Sequence, residues 1–94
     1  MYDHQQLKDM AETIVARARN DGGSSGVNVG RAHALCILRF NQKPAFREVM
    51  EVNGFDLIVT GSTLLIFPVG DRKRHEQIAL IMERLSGPNR TVLQ

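Results

Sequence analysis

Tryptophan is absent, tyrosine occurs once, and four phenylalanines bring the aromatic share of the 94 residues to only 5%. The core must therefore be built from Leu, Ile, Val, Met and Ala, and in one domain of this length it is modest in size. Cysteine is nearly absent too: Cys36 stands alone. That excludes an internal disulfide and a multi-cysteine zinc centre, and it fits a reducing compartment. No apolar run approaches the ~20 residues that span a bilayer, and no signal-peptide pattern opens the chain. The expectation is an intracellular protein, cytoplasmic or nuclear, with no membrane partner. Charge of one sign is also scarce, since twelve Lys and Arg face ten Asp and Glu for a net +2. So mild a balance permits an acidic partner without requiring one.

What is present is organised around Phe55–Val69, FDLIVTGSTLLIFPV. Two apolar runs flank Gly61-Ser62, and Gly followed by Ser suits a two-residue type II′ turn. That register pairs Val59 with Leu64, Leu57 with Ile66 and Phe55 with Pro68. Cross-strand partners share a side, so these six residues form one unbroken apolar face, the predicted core. The opposite face carries Asp56, Thr60 and Thr63, interrupted by Ile58, Leu65 and Phe67. A hairpin alone is marginal in water, so the rest of the chain must cover it.

Asp3 to Asn20 reads as an amphipathic helix, with Leu7, Met10, Ala11, Ile14, Val15 and Ala18 at helical spacing and Asp3 with Gln6 as a capping box. Gly22-Gly23-Ser24-Ser25-Gly26 follows, predicted to be flexible and free of core contact. Native mobile loops and engineered linkers share this composition, and both readings stay open. Arg31 to Phe40 alternates as a strand would, with a buried helix segment as the competing reading. Asn41 to Gly54 is ambiguous: Ala45 to Val52 can be a strand turning at Asn53-Gly54, or a helix capped by Gly54. The strand reading is preferred. Asp71 to Ser86 reads as a helix with Ile78, Ile81, Met82 and Leu85 on its buried stripe, stopped by Gly87-Pro88, and residues 89–94 as a frayed tail.

The expected fold is one α+β domain over residues 1–94: an antiparallel β-meander of three to four strands flanked by an N-terminal and a C-terminal helix. If both Arg31–Phe40 and Asn41–Gly54 are helical, the order becomes three helices, a hairpin and a helix, which is how a winged helix-turn-helix reads.

Arg72-Lys73-Arg74 breaks a local rule, because three cations open a helix whose N-terminus already carries partial positive charge. Free N–H groups point outward there and can receive phosphate; the competing reading is a solvated turn eased by Asp71 and Glu76. Arg31, Arg39, Lys43 and Arg47 form a second basic set. Cys36 and His33 would face opposite ways on a strand and the same way on a helix; with no orienting third group they do not make a nucleophile and base. His4, His33 and His75 lack ligand spacing, so no metal is expected. Glu48 and Glu51 sit three apart without a second carboxylate pair to support acid–base work. No Gly-rich phosphate loop is present, and no cofactor or enzymatic activity is expected.

The α-β-β-β-α logic, with Gly70-Asp71-Arg72-Lys73-Arg74 opening the last helix, is similar to double-stranded-RNA-binding domains. Glu76, Gln77 and Ile78 stand where those domains carry a lysine-and-alanine signature. The resemblance implies a nucleic-acid partner. The expected function is a non-enzymatic module binding nucleic acid, DNA or RNA, through Arg72, Lys73, Arg74 and the neighbouring Arg31, Arg39, Lys43 and Arg47. The alternative is a regulatory protein-interaction module, a homodimer or an inhibitor or adaptor of a larger assembly. It would act through Ile58, Leu65 and Phe67 if the helices leave that face bare.

Overall fold

In the computed structural model, which describes the backbone of residues 2–93 and the side chains of residues 2–85, the hairpin forms in the expected register. Its strands are β2 (Phe55–Thr60) and β3 (Thr63–Pro68), here numbered after an earlier β1 (Ser25–Asn28). Val59 faces Leu64, Leu57 faces Ile66 and Phe55 faces Pro68. Gly61 takes φ +59° and Ser62 is not in the left-handed region, which selects type II′ over the type I′ turn that needs positive φ at both positions.

The helices are α1 (His4–Asn20), α2 (Arg31–Phe40), α3 (Pro44–Asn53) and α4 (Arg72–Leu93), with a 3₁₀ turn (Val69–Asp71) before the last. The architecture is α+β, an antiparallel sheet with a helix at each end of the chain. The sheet is not a sequential meander, however. Its order is β1-β3-β2, and two helices lie between its first strand and the hairpin. This also departs from the α-β-β-β-α order of the double-stranded-RNA-binding resemblance.

The extra strand comes from the glycine-serine segment, which is not the contact-free spacer expected of it. The Gly23 N–H bonds Ala18 O (2.8 Å) and the Gly22 N–H bonds Arg19 O (3.2 Å), with Gly22 at φ +88°. Together these make a Schellman closure of α1, in which glycine supplies the left-handed residue. Ser25 to Asn28 then pair with Ile66 to Thr63. Ser25 is buried and its Oγ donates to Asp21 Oδ2 at 2.5 Å. The Ser25 hydroxyl, and after it the Arg17 guanidinium, hold the Asp21 carboxyl below its ordinary value of 3.8. Because the folded value is the lower one, this support is complete above 3.8 and is lost as pH falls through the lowered value.

Both segments preferred as strands beyond the hairpin are helices. In Arg31–Phe40 only Ile37 is β-branched, and Ala, Leu and Arg favour a helix. Burial of Ala34, Ile37 and Asn41, with Leu38 half-buried, follows the helical spacing and not alternation. In α3, Pro44 sits at the first turn, where its missing N–H is harmless, and Gly54 closes the helix at φ +78°. Asn53 stays out of the left-handed region, so Asn53-Gly54 is a helix cap and not a hairpin turn. In α1 the capping box forms as read: Gln6 N–H donates to Asp3 Oδ1 at 2.8 Å and Asp3 N–H to Gln6 Oε1 at 2.9 Å.

Each face of the sheet has its own cover. Phe55, Leu57, Leu64 and Ile66 join Leu7, Ala11, Val15, Ile37, Phe46 and Met50 from α1, α2 and α3 in the larger core. Leu65 and Phe67 on the reverse face pack with Ala79 of α4, with Ile58, Ile78 and Met82 half-buried around them. Phe67 also stacks on His75, ring centroids 4.5 Å apart. The buried side of α4 is thus His75, Ala79, Ile78 and Met82. Ile81 (55% exposed) and Leu85 (67%), expected on that side, turn outward with Leu80. The α4 backbone passes the expected stop at Gly87-Pro88, and the tail 89–94, expected to fray, lies outside the residues whose side chains are described.

Candidate nucleic-acid interface

The two basic sets meet at one carboxylate. Asp56 is the only acidic residue of the hairpin strands, on the reverse face of β2, and its side chain is 15% exposed. Arg47 of α3 reaches its Oδ1 from Nη1 at 3.4 Å, and Arg72 of α4 reaches its Oδ2 from Nη1 at 2.5 Å. Asp56 Oδ1 also accepts the Leu57 N–H at 2.8 Å, which fixes the carboxylate against its own strand. Arg47 extends the network to Glu51 (3.6 Å) and to Asn41 Oδ1 (3.2 Å), and Arg72 extends it to Glu76 (3.1 Å). One continuous polar seam therefore joins the α2–α3 turn, the start of β2 and the start of α4.

Four of the remaining cations are close in sequence to the residues of this seam. Arg39 closes α2 and Lys43 stands at the N-cap of α3, both exposed. Lys73 and Arg74 follow Arg72 in the first turn of α4, also exposed. Arg74 has a loose contact to Asp71 at 3.8 Å with its side chain 75% exposed, a geometry worth little in water. Among the described residues, Arg31, Arg39, Lys43 and Lys73 make no ion pair. Arg31 is the outlier: it opens α2, eight residues from Arg39 and so about 12 Å further along the axis.

This geometry changes how the triplet is read. Arg72 does not simply oppose the dipole of α4, because Asp56 and Glu76 compensate it. Asp71 lies in the 3₁₀ turn, where its carboxylate faces His75 Nδ1 at 3.2 Å as well as Arg74. Lys73 and Arg74 are the cations of the triplet left to act outward. The hub itself escaped the sequence reading, although one charge in an otherwise apolar hairpin was the signal that marks it. Glu48 and Glu51 also matter here, since both are exposed on the later turns of α3. They repel a polyanion there, so only the Lys43 end of α3 is open to one.

The sheet residues offered as a protein interface are not a bare patch. Leu65 is 6% exposed, Phe67 is fully buried and Ile58 is half-buried, all beneath α4. The condition for an interface there, helices on one side of the sheet only, is not met. Among the described residues of α4, the exposed large apolar side chains are Leu80 (51%), Ile81 (55%) and Leu85 (67%).

His33 and Cys36, on a helix after all, share the wall of a groove between α1 and α2. Among the described residues no group of three or more His, Cys, Asp or Glu side chains could hold a metal ion, and no helix is long and apolar enough to cross a membrane. Comparison with protein-family models, curated proteins and solved structures found no match.

Proposed function

We propose that this chain is a non-enzymatic nucleic-acid-binding module of the winged helix-turn-helix kind, which holds phosphates along the basic edge around Asp56. The observation that carries the reading is the meeting of Arg47 and Arg72 on one carboxylate, because it joins two separate cationic groups into one edge. Arg39 and Lys43, flanking the α2–α3 turn, and Lys73 and Arg74, following Arg72, face solvent. The order α-β-α-α-β-β-α supports the reading, as does the three-residue turn Asn41–Lys43 between α2 and α3. In such a pair the N-terminal end of the second helix is the part that meets nucleic acid, and Lys43 stands there. Contacts of this kind fix position on the backbone and carry little sequence information. A second reading, pairing with another protein or a second copy, is favoured by the outward Leu80, Ile81 and Leu85 of α4.

The test is a salt titration of duplex binding by the parent and by a variant with Arg39, Lys43, Lys73 and Arg74 all replaced by Gln. Each lost phosphate contact removes ~0.9 from the log–log slope, so the variant should bind more weakly with a slope flatter by up to ~3–4 units. Its melting temperature should stay close to the parent's, since none of the four anchors a strong ion pair. A parent that binds no duplex or single strand at low salt, or a variant that binds as well as the parent, gives the function to the α4 surface instead.

A further inference from the structure

α1 packs chiefly against α3, and α2 stands off from it, leaving an open groove of about 580 Å³ between the first two helices. Its walls are the apolar side chains of Met10, Ile14, Ile37 and Phe40, and the fully buried ring of Phe46 also lines it. That volume lies in the ~300–1,000 Å³ range of small-molecule sites, and the lining has their usual form of apolar walls with a few polar groups. Asp9 is the one acidic residue among the lining residues, and His33 the one imidazole. Gln5 Nε2 donates to Asp9 Oδ1 at 2.9 Å, and Asp9 Oδ2 accepts no hydrogen bond among the described residues. The Thr13 hydroxyl spends its proton on the Asp9 carbonyl at 2.9 Å, so what it offers a ligand is an acceptor oxygen.

From this geometry we infer that the α1–α2 groove is a binding site for a small apolar molecule carrying one protonated amine, its body against Met10, Ile14, Ile37 and Phe40 and its ammonium at Asp9. The apolar body leaves water to cover the side chains of Met10, Ile14 and Phe40, which are otherwise half-exposed, and this supplies the affinity. The carboxylate selects the sign of the head group: it attracts a cation, adds little for an alcohol and repels an acid. The inference does not depend on nucleic-acid binding, because none of the seam residues lines the groove.

The chain supplies two reporters. Cys36, its single cysteine, and Tyr2, its single tyrosine in the absence of tryptophan, both line the groove. Phenylbutylamine, phenylbutanol and phenylbutyrate, alike in their apolar part, are titrated against the intact protein at neutral pH. Two signals are followed: the rate at which an aromatic disulfide reagent modifies Cys36, and the tyrosine emission. The expected result is saturable protection of Cys36 and a parallel change in emission. Phenylbutylamine should bind about threefold or more tighter than the alcohol, and the butyrate weakest, as a solvent-exposed ion pair allows. Asp9→Asn should erase the amine's advantage while the alcohol binds as before, so a fold change is separated from a charge effect. Equal protection by all three compounds, or by none, overturns the proposal. So does shielding of Cys36 that rises with protein concentration in the absence of any probe, because a second copy then fills the groove.

Discussion

Phe67→Ala is expected to cost ~3–5 kcal/mol in unfolding free energy, measured by urea denaturation at constant m-value. Phe67 is fully buried, packs with Leu65 and Ala79, and stacks on the His75 ring. Truncation leaves a cavity between the sheet and α4 that neighbours as small as Ala79 cannot refill, and the cost is large against the ~5–15 kcal/mol that holds a domain together. The loss should appear together with weakened attachment of α4, because this cluster and the Thr60 hydroxyl bonded to Ala79 O (3.4 Å) tie that helix to the sheet. If Phe67 were an interface side chain instead, the substitution would cost under ~1 kcal/mol and alter self-association. The same experiment therefore decides between a covered and a bare reverse face.

Asp56→Asn is expected to move stability and nucleic-acid affinity in opposite directions. The substitution keeps the shape of the side chain and removes the charge that holds Arg47 and Arg72. Both arginines are partly exposed, so the pairs are discounted for solvent screening and the loss should be roughly 1–2 kcal/mol. Each guanidinium then keeps only an exposed helical partner, Glu51 for Arg47 (3.6 Å) and Glu76 for Arg72 (3.1 Å), pairs weak enough in water for phosphate to displace, and the net charge becomes more positive by one. Two additional phosphate contacts would steepen the salt dependence of binding by up to ~2 log–log units and tighten binding at low salt. Arg72→Gln, by contrast, should lower stability, since it removes the ion pairs to Asp56 and Glu76, and should weaken binding only slightly, through one unit of lost positive charge, with the salt slope unchanged. A folded Asp56→Asn protein whose affinity is unchanged or lower would remove the seam from the binding surface.

How much of this was legible in the sequence depends on which interactions decide each element. The hairpin register, the capping box of α1 and most of the core face follow from local chemistry: a Gly-Ser turn, an Asp–Gln pair and an apolar alternation. Of the six residues expected on that face, Phe55, Leu57, Leu64 and Ile66 are buried, Val59 is half-buried and Pro68, at the strand end, is exposed. Arg31–Phe40 misled because a run as apolar as ALCIL fits a strand and a buried helix equally, and its choice is made by packing against the sheet. Asn53-Gly54 misled because one glycine in the left-handed region serves a hairpin and a helix cap alike. The glycine-serine stretch hid a strand for a further reason: β1 is paired by its backbone to β3, and backbone pairing leaves little trace in composition. In the candidate site, the cations could be picked out one by one. Their meeting at Asp56 could not, because it depends on α3, β2 and α4 converging across intervals of nine and sixteen residues.

Nucleic acid held along the edge formed by the α2–α3 turn and the start of α4, as proposed, should shift the backbone amide resonances of those residues one by one. Labelled protein is titrated with a short duplex at low salt, where a phosphate-driven contact is strongest. The shifts should concentrate at Arg39 to Arg47, at Asp56 and at Arg72 to Arg74 and fade together as salt rises, while the exposed acidic turns of α3 at Glu48 and Glu51 stay quiet. No shifts at any ratio, or shifts confined to Leu80, Ile81 and Leu85 and governed by protein concentration, would contradict it.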